Sequence, residues 1–384
     1  MGQGKQGGMI DIRPVANIVG KLVATLGAAM SLPLAVDLWY GNPHWQVWLE
    51  TGFLTVLAGV VVAMTTRQAD KSLTIQQAFL LTAALWLVLP LAGALPFMMG
   101  APNAGFTDAY FEAMSGFTTT GTTAFPELDG LPRGTNMWRG FLNWAGGLGI
   151  IVVAMIFLPV MKVGGMQFFK SEGFDTLGKI LPRAFDIAGE MTAVYCGITA
   201  LCTLCYLFLG MDGYDALVLA MSTCSTGGFA QYDASFGGFI GPLEYVASFF
   251  MILASIPFIR MVQMVRGTPG PMWRDVQIRA YLRWTFYAIA VIVLYRLIWL
   301  KADNPLDVIR ETVFNVVSTF SGTGYASTDV TQWGHLSFAV LIVVGLIGGC
   351  TGSTSCSVKV FRYLVLFQAI KAQLGKQLGQ QGIE

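Results

Sequence analysis

The sequence predicts an all-α polytopic membrane protein: an N-terminal helix hairpin, then three pseudo-repeats of helix, re-entrant pore half-helix with a Gly/Thr loop, and helix. Three observations lead there. Hydrophobic residues make up 54% of the 384-residue chain and charged residues only 12%, well below the roughly 25% of an ordinary soluble domain. Apolar segments near the ~20 residues that a membrane helix needs recur along its length. Between them a short pattern, first seen as FTDAYFEAMSGFTTTGTT at 106–123, occurs three times. The net charge of +1 singles out neither nucleic acid nor an anionic surface as a partner.

Taken in order, residues 1–13 are a polar, Gly-rich start with Lys5 and Arg13. The apolar segment at 14–39 contains Lys21, whose long stem can snorkel to the interface. It is too long for a signal-peptide core and has no small-residue cleavage site, so it reads as retained. A second segment at 47–66 is followed by Arg67 and Lys71. Neither leads into a half-helix, which makes residues 1–75 an added hairpin. The first repeat, 76–180, has spans at 76–99 and 137–160 around a half-helix at 107–118. The second, 181–275, has spans at 186–209 and 239–264 around 213–225. The third, 276–370, has spans at 284–300 and 336–366 around 305–320, and a polar tail follows at 371–384. The expectation is eight full crossings and three half-crossings.

Basic residues orient this stack. With residue 1 cytoplasmic, the inner segments hold Lys5, Arg13, Arg67, Lys71, Lys162, Lys170, Lys179, Arg183, Arg260, Arg266, Arg274, Arg279, Arg283, Lys359, Arg362, Lys371 and Lys376. These are 17 of the 23 Lys and Arg residues. The positive-inside rule then opens all three Gly/Thr loops to the outer side.

The three copies align on Gly121, Gly228 and Gly324. An acid lies thirteen residues before each glycine (Asp108, Asp215, Glu311), an apolar residue ten before (Phe111, Val218, Phe314) and a serine six before (Ser115, Ser222, Ser318). Irregular backbone at membrane depth is tolerated only where it lines a cavity or is buried in protein. A half-helix followed by an extended Gly/Thr stretch offers a row of carbonyl oxygens, and the negative end of the helix dipole faces the same spot. Such a site suits a partly dehydrated monovalent cation, and glycine permits the backbone angles it needs. The bland alternative is a small-residue surface for close helix packing; three phased copies argue against it.

The TTTG loop, WAGGLGIIV at 144–152, MQFF at 166–169, LPR at 181–183, STGGF at 225–229 and GGCTGSTS at 348–355 stand in one order along the chain. In that order they resemble the membrane subunit of Trk-type bacterial potassium uptake systems, in the Trk/Ktr/HKT superfamily. The resemblance implies a K⁺-conducting pore in the bacterial inner membrane, a homodimer, and a cytosolic nucleotide-binding regulatory subunit (TrkA-like). It makes Gly121, Gly228 and Gly324 the filter glycines, with Thr120, Gly227 and Thr323 before them and Thr122, Phe229 and Tyr325 after. Their main-chain oxygens would replace the hydration shell of K⁺, which is the transported ion; no cofactor is implied. It also makes Gly348, Gly349, Cys350, Thr351, Gly352, Ser353 and Thr354 an intramembrane gate loop under the filter. A continuous helix there would lose roughly 1 kcal/mol per glycine relative to alanine, so a break is expected on physical grounds too. Where Cys356 and Ser357 stand, the family pattern has a glycine pair.

Other chemistry is poorly supported. Cys202 and Cys205 form a CxxC, but on an apolar helix without a histidine or second pair nearby, which suits packing better than zinc. GGCTGSTS lacks the lysine of a phosphate-binding loop. His44 and His335 fall in or beside outer loops, so neither is placed to activate Ser353 as a nucleophile. The chain reads as no enzyme.

Successive filter glycines are 107 and 96 residues apart, so a fourth unit belongs roughly a hundred residues beyond Gly324 by the logic of internal repeats. The expectation is therefore a truncated subunit, or one completed by a separate polypeptide, that forms no closed selective pathway alone. The alternative from another class is a non-conducting truncated or regulatory homologue acting through partner subunits.

Overall fold

Backbone that crosses hydrocarbon has no water to bond its amides and carbonyls, so it is driven into helices. The computed structural model describes residues 11–67, 73–161, 180–301 and 304–381. The N-terminal part holds α1 (Arg13–Ala29), α2 (Ser31–Trp39) and α3 (Trp45–Thr65). Then come α4 (Ile75–Met99), the half-helix α5 (Phe106–Phe117) and α6 (Arg133–Met161). The segment expected as the second repeat has α7 (Ile180–Phe208), the half-helix α8 (Gly213–Cys224), α9 (Pro242–Ala254), α10 (Phe258–Val265) and the short α11 (Gly270–Arg274). The third has α12 (Val276–Ile298), α13 (Pro305–Ser321), α14 (Gly334–Leu346) and α15 (Val360–Gln381). Between α14 and α15, strands β1 (Ile347–Gly348) and β2 (Val358–Lys359) pair in parallel, Ile347 beside Val358. Among the described residues, five spans are long and apolar enough to cross a membrane: Arg13–Trp39, Trp45–Thr65, Gln76–Met99, Ile187–Phe208 and Val276–Ile298. This is a membrane protein.

Small residues bring the hairpin helices together. A Cβ built on Gly20 would lie 2.8 Å from the Gly59 carbonyl oxygen, and one on Gly59 2.6 Å from that of Gly20. The two backbones therefore touch, the packing that glycine permits where helices gain nothing from excluding water.

At the far end of the hairpin, Asp37 is fully buried. It accepts from Trp48 Nε1 at 2.8 Å and from the Gly134 amide, at the start of α6, at 2.8 Å. His44 Nε2 accepts from the Ala101 amide at 2.9 Å, which puts the ring proton on Nδ1, 3.2 Å from Asp37. One carboxylate thus ties the hairpin to the first repeat. Asp37→Ala leaves three buried donors without an acceptor and is expected to destabilise the fold by about 3 kcal/mol or more. Asp37→Asn, which keeps one oxygen, should lose less. Thermal unfolding in detergent reads both, and an unchanged midpoint for Asp37→Ala would rule the tie out.

Three expected spans come out differently, and a fourth is interrupted locally. The segment 239–264, expected as one crossing, is two helices bent by 97°. Pro257 has no amide for the preceding turn and its ring clashes there. The segment 14–39 stays one span, Arg13–Trp39, with a local interruption at Met30, where Pro33 cannot donate to the Ala29 carbonyl. The α12 helix begins at Val276 rather than 284, since Asp275 caps the Gln277 amide at 2.9 Å. The segment 336–366 is interrupted from 347 to 359, and α15 then continues to Gln381 through what was expected to be a tail. Its Gln, Lys, Leu and Ala residues are good helix formers. Lys5, Lys71, Lys162, Lys170, Lys179 and the MQFF segment lie outside the described residues.

Candidate functional site

The half-helices α5, α8 and α13 each run into a loop with a shared backbone signature. Two positions per loop have positive φ: Thr119 (54°) and Gly121 (78°), Thr226 (50°) and Gly228 (82°), Gly322 (78°) and Gly324 (80°). Alternating left- and right-handed residues lets consecutive peptide groups share one direction. Glycine takes this conformation freely. Threonine does not, and a β-branched residue held there costs about 1–3 kcal/mol, strain that concentrates at functional sites.

The loops interlock in one rotational sense. A Cβ on Gly121 would collide with the Gly227 carbonyl oxygen, and one on Gly228 with the Thr323 carbonyl oxygen. A Cβ on Gly324 would meet nothing within 4 Å. The residue after each glycine repeats the order in reverse. Phe229 from the second loop lies behind the first, and the Tyr325 hydroxyl from the third donates to the Leu219 carbonyl of α8 at 3.2 Å. Both rings are buried, whereas Thr122, at the same position in the first loop, is exposed together with Thr120. The structure thus joins loop one to loop two and loop two to loop three. Between loops three and one, the flank beside Gly324 and Thr122 is open among the described residues.

The three half-helices brace their own loops. Glu112 of α5 accepts from the Thr123 hydroxyl at 2.9 Å and the Ala124 amide at 2.8 Å. Asn315 holds the same position in α13; it accepts from the Ser327 amide at 3.3 Å and donates to the Ser327 hydroxyl at 3.0 Å. In α8 the position is Leu219, and Asp215 instead accepts from Tyr232 at 2.9 Å and Gln231 at 3.3 Å. The Ser318 hydroxyl donates to the Tyr325 carbonyl at 2.7 Å, and the Ser115 and Ser222 carbonyls accept the Thr120 and Gly227 amides.

The segment 348–354 fills the bend between α9 and α10. The Cys350 amide donates to the Ser255 carbonyl at 2.9 Å and the Thr354 amide to Ala254 at 3.3 Å. In return the Phe258 amide donates to the Gly352 carbonyl at 2.9 Å. Gly349 is bonded by its amide to Ser355 Oγ at 2.8 Å, and the Ser353 hydroxyl to the Cys350 carbonyl at 2.6 Å. The Thr351 amide donates to Gln277 at 3.1 Å. Thr354 Oγ1 also reaches the Cys224 carbonyl at the end of α8, at 3.4 Å, and Cys356 Sγ lies 3.9 Å from the Gly322 carbonyl at the end of α13. Gly348 admits the Cys356 carbonyl so closely that any Cβ would collide with it. Through Thr354 and the adjoining Cys356, this loop and the residues just after it lie against two of the three half-helix ends.

The TrkH profile, described as a cation transport protein, matches residues 44–383. The chain belongs to the TrkH family. A Trk system potassium uptake protein TrkI from Halomonas elongata is 33% identical over 372 residues, covering 96% of this chain and 75% of that one. TrkH from Escherichia coli, named a Trk system potassium uptake protein, is 32% identical over 364 residues, 94% of this chain and 75% of its own. The crystal structure of the potassium transporter TrkH from Vibrio parahaemolyticus superposes with a TM-score of 0.88 at 30% identity, over 96% of this chain and 77% of that one.

Several supporting residues of this TrkH-family chain escaped the motif reading. Glu112, Asn315, Arg139 and Asn143 are buried polar groups in otherwise apolar helices, the pattern that marks functional positions in membranes. The strain at Thr119 and Thr226 shows only when the loops are aligned and glycine is found at the third copy, Gly322. Ser357, at one of the two positions where the resemblance leads one to expect glycine, has φ +62°, and its hydroxyl donates to the Gly345 carbonyl at 2.7 Å. The phased acids do not gather. Asp108 is exposed, Asp215 holds Tyr232, and Glu311 pairs with Arg296 at 2.7 Å.

Proposed function

We propose that this chain is a pore subunit of a Trk-type K⁺ uptake system, and that the main-chain oxygens around Gly121, Gly228 and Gly324 line the ion path. The one-way interlock of the three loops carries this reading, because a packing surface has no reason to alternate backbone handedness at matching positions. Each loop is followed within six residues by an exposed carboxylate, Glu127, Asp233 and Asp329, which raises the local cation concentration at a pore mouth. Hydrogen bonds from Thr331 hold the Asp329 carboxyl below its ordinary range and keep it charged. The segment 348–354 is the gate. The chain sits in the inner membrane with its N-terminus cytoplasmic, works as a transporter and not an enzyme, and pairs with a second copy and a nucleotide-binding cytosolic subunit.

The open flank beside Gly324 favours a second statement: the described residues by themselves leave one side of the filter unlined. Rubidium entry and growth at limiting K⁺, in cells stripped of other K⁺ uptake, test both. An assembly in which the flank is filled is expected to take up rubidium in preference to sodium, and residues 1–384 alone very little. Selective uptake by purified residues 1–384 in liposomes would contradict the open flank. Failure of every assembly containing the chain would favour a non-conducting homologue.

A further inference from the structure

Arg139 stands behind the junction of the first two loops with 1% of its surface exposed. Its Nε donates to Glu112 Oε1 at 2.7 Å, and its Nη1 to the Ala230 carbonyl at 2.8 Å and to Asn136 Oδ1 at 3.1 Å. The Phe229 ring lies over the guanidinium, 4.3 Å from Cζ to the ring centre. Glu112, fully buried, directs the rest of its carboxylate at Thr123 and Ala124. A single guanidinium therefore holds the back of loop one through Glu112 and the back of loop two through Ala230 and Phe229.

One helical turn further along α6, Asn143 continues the same face. In the amide orientation that satisfies both ends, its nitrogen donates to the Gly116 carbonyl at 2.8 Å and its oxygen accepts from the Phe229 amide at 3.1 Å. The other ion pairs of the pore half-helices differ. Arg310 joins Glu244 and Asp307, Arg296 joins Glu311, and neither pair bonds a loop residue among those described.

We propose that Arg139 is a specificity-determining positioning residue for cation transport. It fixes the spacing of the loop-one and loop-two carbonyls, and with Glu112 it forms a neutral pair beside the path. The proposal rests on the reading of these loops as the ion filter. Two separable effects follow. Loss of the bridge lets the two loops drift, so that oxygens set for a larger ion can close on a smaller one. Loss of Glu112 alone leaves an uncompensated cation in a poorly screened interior, where it repels the permeating ion. A lysine at 139 keeps the charge but is a point donor without the planar fork that reaches both loops.

The experiment uses the conducting assembly that contains this chain. The variants are Glu112→Gln, Arg139→Gln, Arg139→Lys and the double Glu112→Gln/Arg139→Gln, with Gly228→Ala as control. K⁺ KM and the rubidium-to-sodium uptake ratio are read per assembled complex. Glu112→Gln is expected to raise KM on the order of tenfold. Both Arg139 variants should lower the ratio several-fold, and the double variant should return KM toward wild type without restoring the ratio. Should a single variant fail to assemble, the double variant, which removes both charges, still reads the ratio. A role in folding alone predicts altered amounts of complex with KM and ratio unchanged, and that result overturns the proposal, as does a double variant with KM as high as Glu112→Gln. If Gly228→Ala shifts the ratio and the Arg139 variants do not, the clamp alone is wrong. If Gly228→Ala leaves the ratio intact as well, the filter reading fails with it.

Discussion

Gly228→Ala is expected to lower K⁺ over Na⁺ discrimination on the order of tenfold or more, among the largest losses of any single substitution in the loops. Two effects add at this position. The backbone has φ +82°, a conformation that costs an L-residue roughly 1–2 kcal/mol. The new methyl group would also occupy the place of the Thr323 carbonyl oxygen, so the loops must separate where their oxygens need fixed spacing. Gly121→Ala meets the same obstacle at the Gly227 carbonyl and should behave alike. Gly324→Ala carries only the strain of φ +80°, because no atom of the described residues lies within 4 Å of its Cβ. In a conducting assembly whose flank is filled by something other than a fourth Gly/Thr loop, its effect should be the smallest of the three. In an assembly that fills the flank with a fourth loop it should become as severe as the others. Uptake ratios of rubidium to sodium for the three variants check the order, and equal ratios for all three and the unaltered chain would remove the loops from the path.

Shortening the segment 350–354 is expected to raise ion flux several-fold at equal assembly, since Thr354 reaches the end of α8 and the adjoining Cys356 the end of α13. The same change strips partners from the Ala254 and Ser255 carbonyls and the Phe258 amide. Each buried group left without a partner costs about 1–3 kcal/mol, so the shortened protein should also melt earlier. Flux that stays unchanged while stability falls would make the segment a packing plug for the α9–α10 bend and nothing more. Either way the bend and the segment stand or fall together.

That dependence explains what could and could not be read from the residues. The helices and the three loops were legible because hydrophobic length and phased glycines are local signals, and the α5, α8 and α13 helices end within a residue of the expected half-helices. Pro257 was equally visible as a helix breaker. Its meaning was not, because the groups that satisfy the broken turn come from Cys350, Gly352 and Thr354, nearly a hundred residues later. Arg139 was counted with no motif, since its partners Glu112 and Ala230 are brought to it only by the packing of α5 and α8 on α6. The left-handed threonines at 119 and 226 break local preference, and local preference is all that a single sequence offers at such positions.

The most direct measurement is anomalous scattering from crystals of the assembled complex soaked in thallium or rubidium. A peak bounded by main-chain oxygens of residues 120–122, 227–229 and 323–325 is the expected result, and it should weaken in Gly228→Ala. Ordered protein with no peak there, or a peak held elsewhere by side-chain carboxylates, would contradict a cation path lined by these three loops.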